Sequence, residues 1–148
     1  MLRPAPKPKV EDTTPKIEYI DLNSYVVQIT STNDGKDGLF AATWEGLYKT
    51  YDPAKGWEKV IISDYPGRVY TVTTNPDQPG VILAGTSQGL YITQDGGQNW
   101  SRFHGGPLQE TVQSIAVNPS NPKTFLVGTS RTVYRTDDGG EMFSGCWG

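Results

Sequence analysis

Thr93-Gln94-Asp95-Gly96-Gly97-Gln98-Asn99-Trp100 has two counterparts in the chain, Thr136 to Phe143 and Thr50 to Trp57, each displaced by 43 residues without a gap. In that register Thr50, Thr93 and Thr136 align, then Asp52, Asp95 and Asp138, then Trp57, Trp100 and Phe143. The alignment continues upstream through Tyr48, Tyr91 and Tyr134, through Thr43, Thr86 and Thr129, and through Val26, Val69 and Val112. NPDQP from Asn75 to Pro79 lies over NPSNP from Asn118 to Pro122, where the first copy has TNDGK. An ungapped repeat means one supersecondary unit used three times, each copy burying an apolar face on its neighbour because alone it buries too little.

Within the second copy, RVYTVTTN is rich in β-branched and aromatic residues and stops at a Pro-containing turn, which predicts a first strand. VILAGTS predicts a second, a Gln88-Gly89 connection a hairpin into LYIT as a third, and NWSRF a fourth after the Asp-Gly-Gly turn. Four short antiparallel strands per 40-odd residues is the spacing of a propeller blade, and no sustained 3.6-residue apolar period supports helices. The predicted fold is all-β: a partial β-propeller of three four-stranded antiparallel blades, at about 24–63, 67–106 and 110–148, within a domain spanning 16–148. Residues 1–15, rich in Pro and Lys, read as a disordered linker. KIEYI, ending at Ile20, stands 43 residues before the fourth-strand region of the first blade and is a candidate outer strand donated to another blade.

Composition agrees and excludes. Seventeen Gly and eleven Pro among 148 residues suit short elements joined by tight turns. A net charge of −3, with no dense basic cluster, argues against nucleic acid. One Cys and one His cannot alone furnish a structural zinc site, and no metal or cofactor is expected. No apolar run is long enough to span a bilayer, and the start has charges and prolines where a signal peptide needs an apolar stretch.

TQDGGQNW resembles the Ser/Thr-x-Asp-x-Gly-x-Thr-Trp "Asp-box" of bacterial neuraminidase repeats, with Asn99 in the Thr place. TDDGGEMF keeps Thr136, Asp138 and Gly140 and puts Met142 and Phe143 last, while TYDPAKGW keeps Thr50, Asp52 and Trp57 but has Ala54 for Gly. The resemblance covers roughly residues 25–148 and implies the superfamily of sialidases, xyloglucan hydrolases, sortilin-type receptors and photosystem assembly factors. It also implies secreted or periplasmic life, and box residues away from any active face. Physical chemistry supports a structural box: a turn carboxylate such as Asp95 accepts backbone N–H groups, Gly97 takes positive φ, and Trp100 folds into the core.

The turns opposite the boxes form the candidate ligand face: Trp44 and Glu45, Ser87 and Gln88, Ser130 and Arg131, with the connections 64–68 and 104–111. An exposed Trp44 can stack on a sugar, or be a packed loop aromatic. Asp64, Tyr65 and Arg68 can bind a polar ligand, the guanidinium taking a carboxylate through two hydrogen bonds. Glu45 and Asp64 are candidates for a general acid and base, since glycoside hydrolysis generally uses two carboxyls roughly 5–10 Å apart. His104, the single histidine, falls near the rim. The arginine triad and Arg-Ile-Pro-type motif of sialidases are missing, and no nucleophile elbow or phosphate loop occurs.

Propellers run to about four to eight blades, so three make part of a ring. The open ends call for the remaining blades of a longer chain, a second copy, or a capping protein, and the weak last strand favours the first. Two functions follow: a non-catalytic binding or scaffold segment with a carbohydrate or protein ligand, or part of a xyloglucanase- or sialidase-like glycoside hydrolase whose site is incomplete here.

Overall fold

A computed structural model of the chain describes residues 18–103 and 110–146. The proposed linker 1–15 and His104 lie outside the described residues. Twelve strands form three four-stranded antiparallel sheets. The first holds β1 (Val26–Ser31), β2 (Leu39–Thr43), β3 (Gly46–Thr50) and β4 (Glu58–Val60). The second holds β5 (Val69–Thr74), β6 (Ile82–Thr86), β7 (Gly89–Thr93) and β8 (Trp100–Arg102), and the third β9 (Val112–Val117), β10 (Phe125–Thr129), β11 (Val133–Thr136) and β12 (Ser144–Cys146). Within each sheet the strands pair in chain order, so each is a meander, the blade of a β-propeller. The middle hairpin differs from expectation by one residue: Thr86 pairs with Gly89, leaving Ser87-Gln88 as the connection.

The first strands of successive blades lie together at the centre, β5 touching both β1 and β9. Residues 43 apart meet there. The Gln28 Oε1 accepts from the Thr71 hydroxyl at 2.8 Å and from the Val72 N–H at 3.0 Å, and the Thr74 hydroxyl donates to the Ser31 carbonyl at 2.9 Å. Equivalent positions in contact are what repetition about an axis produces.

Period-two alternation gives the middle blade two apolar faces. Ile82, Ala84 and Tyr91 join Phe40, Ala42 and Leu47 of blade one in one core, while Leu83 and Leu90 join Val112, Phe125 and Val127 of blade three in another. Gly85 stands on the second face. A Cβ there would come within 2.7 Å of the Val112 carbonyl oxygen, so close approach of the two backbones requires glycine.

The chain enters blade one at Ile20, which exchanges two 2.8 Å backbone hydrogen bonds with Trp57. Ile20 therefore lies against the first blade itself. Ser63, which is 43 residues on, repeats the contact at the second blade, its hydroxyl donating to the Trp100 carbonyl at 2.8 Å.

Candidate functional site

The three box turns occupy matching corners, between β3 and β4, β7 and β8, and β11 and β12. Each of the last two is tied to the turn joining its blade's first two strands: the Gly96 N–H donates to the Gly80 carbonyl and the Gly139 N–H to the Lys123 carbonyl, both at 2.9 Å. In the middle box Asp95 accepts from the Thr93 hydroxyl, from the N–H groups of Gln98 and Asn99, and from the Asn99 side chain. Gly97 adopts φ +102°, and the buried Trp100 donates its indole N–H to the Gly97 carbonyl at 2.9 Å. In the third, Asp138 accepts from the Thr136 hydroxyl and the Met142 N–H, Gly140 takes φ +100°, and Phe143 meets Phe103 and Phe125 edge-on at 6.0 and 5.9 Å.

The first box is built differently. Thr50 donates to the Gly56 carbonyl rather than to Asp52, and Asp52 Oδ1 accepts the Ala54 N–H. The missing tie between turns is replaced by side chains: Tyr51 donates its hydroxyl to Asp34 at 2.5 Å, which, after burial, raises the phenol to about 12.

The N–H of Asn99, with the Thr93 hydroxyl and the Asn99 amide, holds the Asp95 carboxyl well below its ordinary value of 3.8. The Met142 N–H and the Thr136 hydroxyl lower Asp138 likewise. A lowered folded-state value means that the stabilisation is complete above the ordinary value and disappears as pH falls through the depressed one. Asp95→Asn is therefore expected to lower the thermal midpoint at pH 7 and to shrink the further drop on going to about pH 2. Equal acid-induced drops in both proteins would show that the box carboxylate does not govern acid lability.

The opposite face gathers the turn β2–β3, the turn β6–β7 and the connection from β4 to β5. Each strand-pair turn is closed by a threonine that sequence alignment marked without a role. Thr43, Thr86 and Thr129 donate their hydroxyls to the carbonyls of Gly46, Gly89 and Thr132 at 2.8, 2.9 and 2.9 Å. Each also accepts an N–H from within the turn, of Glu45, Gln88 and Arg131 respectively.

Next to these turns the second blade departs from its neighbours. In blade one the Trp44 N–H donates directly to the Tyr25 carbonyl, and in blade three the Ser130 N–H to the Thr111 carbonyl, both at 3.1 Å. In blade two the Tyr65 hydroxyl stands between the equivalent groups, accepting from the Ser87 N–H at 3.2 Å and donating to the Arg68 carbonyl at 2.6 Å. The Ser87 hydroxyl lies 2.5 Å away, and the Tyr65 ring is buried. The phenol is thus a structural spacer that carries Arg68 outward.

Arg68 meets Trp44. Its guanidinium carbon lies 4.2 Å from the indole centroid, and Tyr25 adds a ring 4.7 Å from the same indole, tilted by 32°. All three residues are exposed. Among the described residues no hydrogen bond or ion pair reaches the Arg68 side chain, whose guanidinium is held over the indole. Sequence reasoning placed Trp44 and Arg68 on this face but missed Tyr25, whose sole signal is its register with Arg68.

Asp64 and Tyr65 border a cleft of about 220 Å³ with Gly46, Leu47, Lys59 and Ile62, below the roughly 300–1,000 Å³ usual for ligand pockets. Glu45 and Gln88 are exposed at their turn tips. Arg131 is exposed too and approaches Glu110 at 4.0 Å, in blade three and away from the Trp44 stack.

No protein-family model matches the chain, and no curated protein does. Solved structures do. An ancestral GH74 enzyme superposes with a TM-score of 0.70 at 18% identity, covering 88% of this chain and 19% of the enzyme. The GH74 enzyme of Niastella koreensis gives 0.67 at 18% identity, covering 82% of this chain and 22% of the enzyme. YCF48 bound to D1 peptide gives 0.65 at 21% identity, covering 87% of this chain and 42% of that one. The chain thus spans less than half the length of these proteins, and at such identities the likeness shows the β-propeller fold.

Proposed function

We propose that this chain is a non-catalytic binding segment of an Asp-box propeller, secreted or periplasmic as the box resemblance implies, whose ligand face centres on Arg68 and recognises a carboxylate of a partner polypeptide. The observation that carries this reading is the stack of Tyr25, Trp44 and Arg68. An indole already engaged by a ring and a guanidinium is poorly placed to take a sugar, while the guanidinium it orients is pre-organised for two parallel hydrogen bonds to a carboxylate. The solved YCF48 complex, a propeller of like fold with a bound peptide, is compatible with a polypeptide ligand.

The GH74 likeness supports the competing hydrolase reading, with Glu45 and Asp64 as its carboxyls. Calorimetric titration of a glutamate-rich peptide and of xyloglucan oligosaccharides, with reducing-sugar release followed in parallel, separates the two. We expect peptide binding weakened about tenfold or more by Arg68→Ala and less by Arg68→Lys, the loss of charge-assisted hydrogen bonds setting the size. Sugar release abolished by Asp64→Asn or Glu45→Gln would establish the hydrolase instead.

A further inference from the structure

Blade two meets blade three on one side and blade one on the other, and the two interfaces match position by position except at the rim beside the box turns. Where the third box meets blade two, the Phe103 ring lies against Gly140: a Cβ on that glycine would collide with the ring, and Gly140 is buried. Phe103 also meets Phe143 edge-on, and it and Ile92 both pack on the second core. The register mates of Phe103 and Ile92 at the interface of blades one and two are Val60 and Lys49. Gly97, the mate of Gly140, is half-buried there, and a Cβ on it would meet Val60 at an ordinary 3.7 Å. The seat that the Phe103 ring fills at one interface is thus left open by the shorter Val60 at the other.

The result is a cleft of about 380 Å³, within the range usual for ligand pockets, whose lining includes Lys49, Glu58, Val60, Gly96, Gly97 and Gln98. The Trp100 indole, larger than the Phe143 ring, does not border it. Lys49 and Glu58 face each other across β3 and β4 as Ile92 and Ser101 do across β7 and β8, so an apolar plug has been exchanged for a charged pair of positions. Among the described residues no hydrogen bond or ion pair reaches the side chains of Lys49, Glu58 or Gln98.

We infer that this cleft, on the box side of the blades and away from Arg68, takes the aromatic side chain of a partner polypeptide. The register supplies the ring: the open seat is the one Phe103 occupies one blade on, and Gly97, lacking a Cβ, lets a ring approach the backbone as Gly140 does. The charges supply the polypeptide. An aromatic residue in a chain carries a carbonyl acceptor and an N–H donor beside its ring, and the rim offers ammonium and amide donors on Lys49 and Gln98 and a carboxylate acceptor on Glu58. A purely apolar ligand would desolvate those groups without meeting them.

N-acetylphenylalanine amide carries the ring and both peptide groups, and is titrated into the isotope-labelled chain with amide shifts followed by NMR. Saturable shifts are expected at Lys49, Val60, Gly97 and Gln98, with N-acetylalanine amide bound at least tenfold more weakly. Val60→Phe, which copies the plug of the next interface, is expected to abolish binding and raise the thermal midpoint. Lys49→Ala and Glu58→Ala, at partly exposed positions, are expected to weaken binding about threefold each and keep the test open should Val60→Phe unfold. Absence of saturable shifts, shifts centred elsewhere, equal binding of the alanine amide, or undiminished binding in a folded Val60→Phe would overturn the inference. Val60→Phe is expected to leave peptide binding at Arg68 unchanged, so failure at this cleft and failure of the Arg68 reading are told apart.

Discussion

Trp100→Ala is expected to destabilise the chain by about 3–5 kcal/mol and to lower its thermal midpoint by about 10 °C or more. The indole is buried in the core between blades one and two, among Ile62, Tyr65, Ile82 and Tyr91. Truncation removes that packing, leaves a cavity the rigid ladders cannot fill, and frees the Gly97 carbonyl that the indole N–H satisfies. The register supplies the control. Phe143 stands at the same register position in blade three without an N–H, so Trp100→Phe is expected to cost less than Trp100→Ala, about 1–3 kcal/mol for the lost hydrogen bond and the smaller ring. Trp57, half-buried at the outward-facing equivalent, is expected to tolerate Ala better. Urea unfolding monitored by circular dichroism ranks the three. Equal costs at Trp57 and Trp100 would contradict the reading that Trp57 packs less fully than its register mate.

Why the blades could be read from sequence and the ligand face could not follows from what a repeat encodes. A constant offset preserves the positions that every blade needs: threonines at turn ends, the aspartate and glycine of the turn, the tyrosine and aliphatic residues of the faces. Thr93, Asp95 and Trp100 bond within their own turn, to partners only a few residues away. Even there the first copy escapes, since Pro53 and Ala54 in place of the glycines redirect Thr50, and Asp34 substitutes from another turn.

The ligand face depends on departures from the repeat. Arg68 and Trp44 are neighbours because two blades pack, and Tyr65 is a spacer because its ring is held among side chains of both blades. No periodicity announces such contacts between blades, and the residues that make them have unlike register mates: Ser87 and Ser130 for Trp44, Tyr25 and Thr111 for Arg68. Sequence could therefore name the turns but not the side chains that meet across them.

Leu90→Ala is expected to remove about 2–5 kcal/mol, with the loss concentrated in one blade. Leu90 is fully buried in the second core, and no residue of that core belongs to the first. Blade two joins the cores but keeps them on opposite faces, so the side chains that hold blade one and those that hold blade three do not touch a common cavity. In an array whose units meet only their neighbours, stability is close to a sum of unit and interface contributions, and weakening one interface lowers the cost of opening the unit beyond it. Native-state hydrogen exchange is expected to show the amides of β9, β10 and β11 losing protection in Leu90→Ala while those of β2, β3 and β6 keep theirs, and Trp100→Ala to reverse the pattern toward blade one. A uniform loss over all three blades in both variants would mean that the sheets open as one cooperative body. The shared strands at the centre, where Gln28 bonds Thr71 and Val72, would then outweigh the separation of the cores.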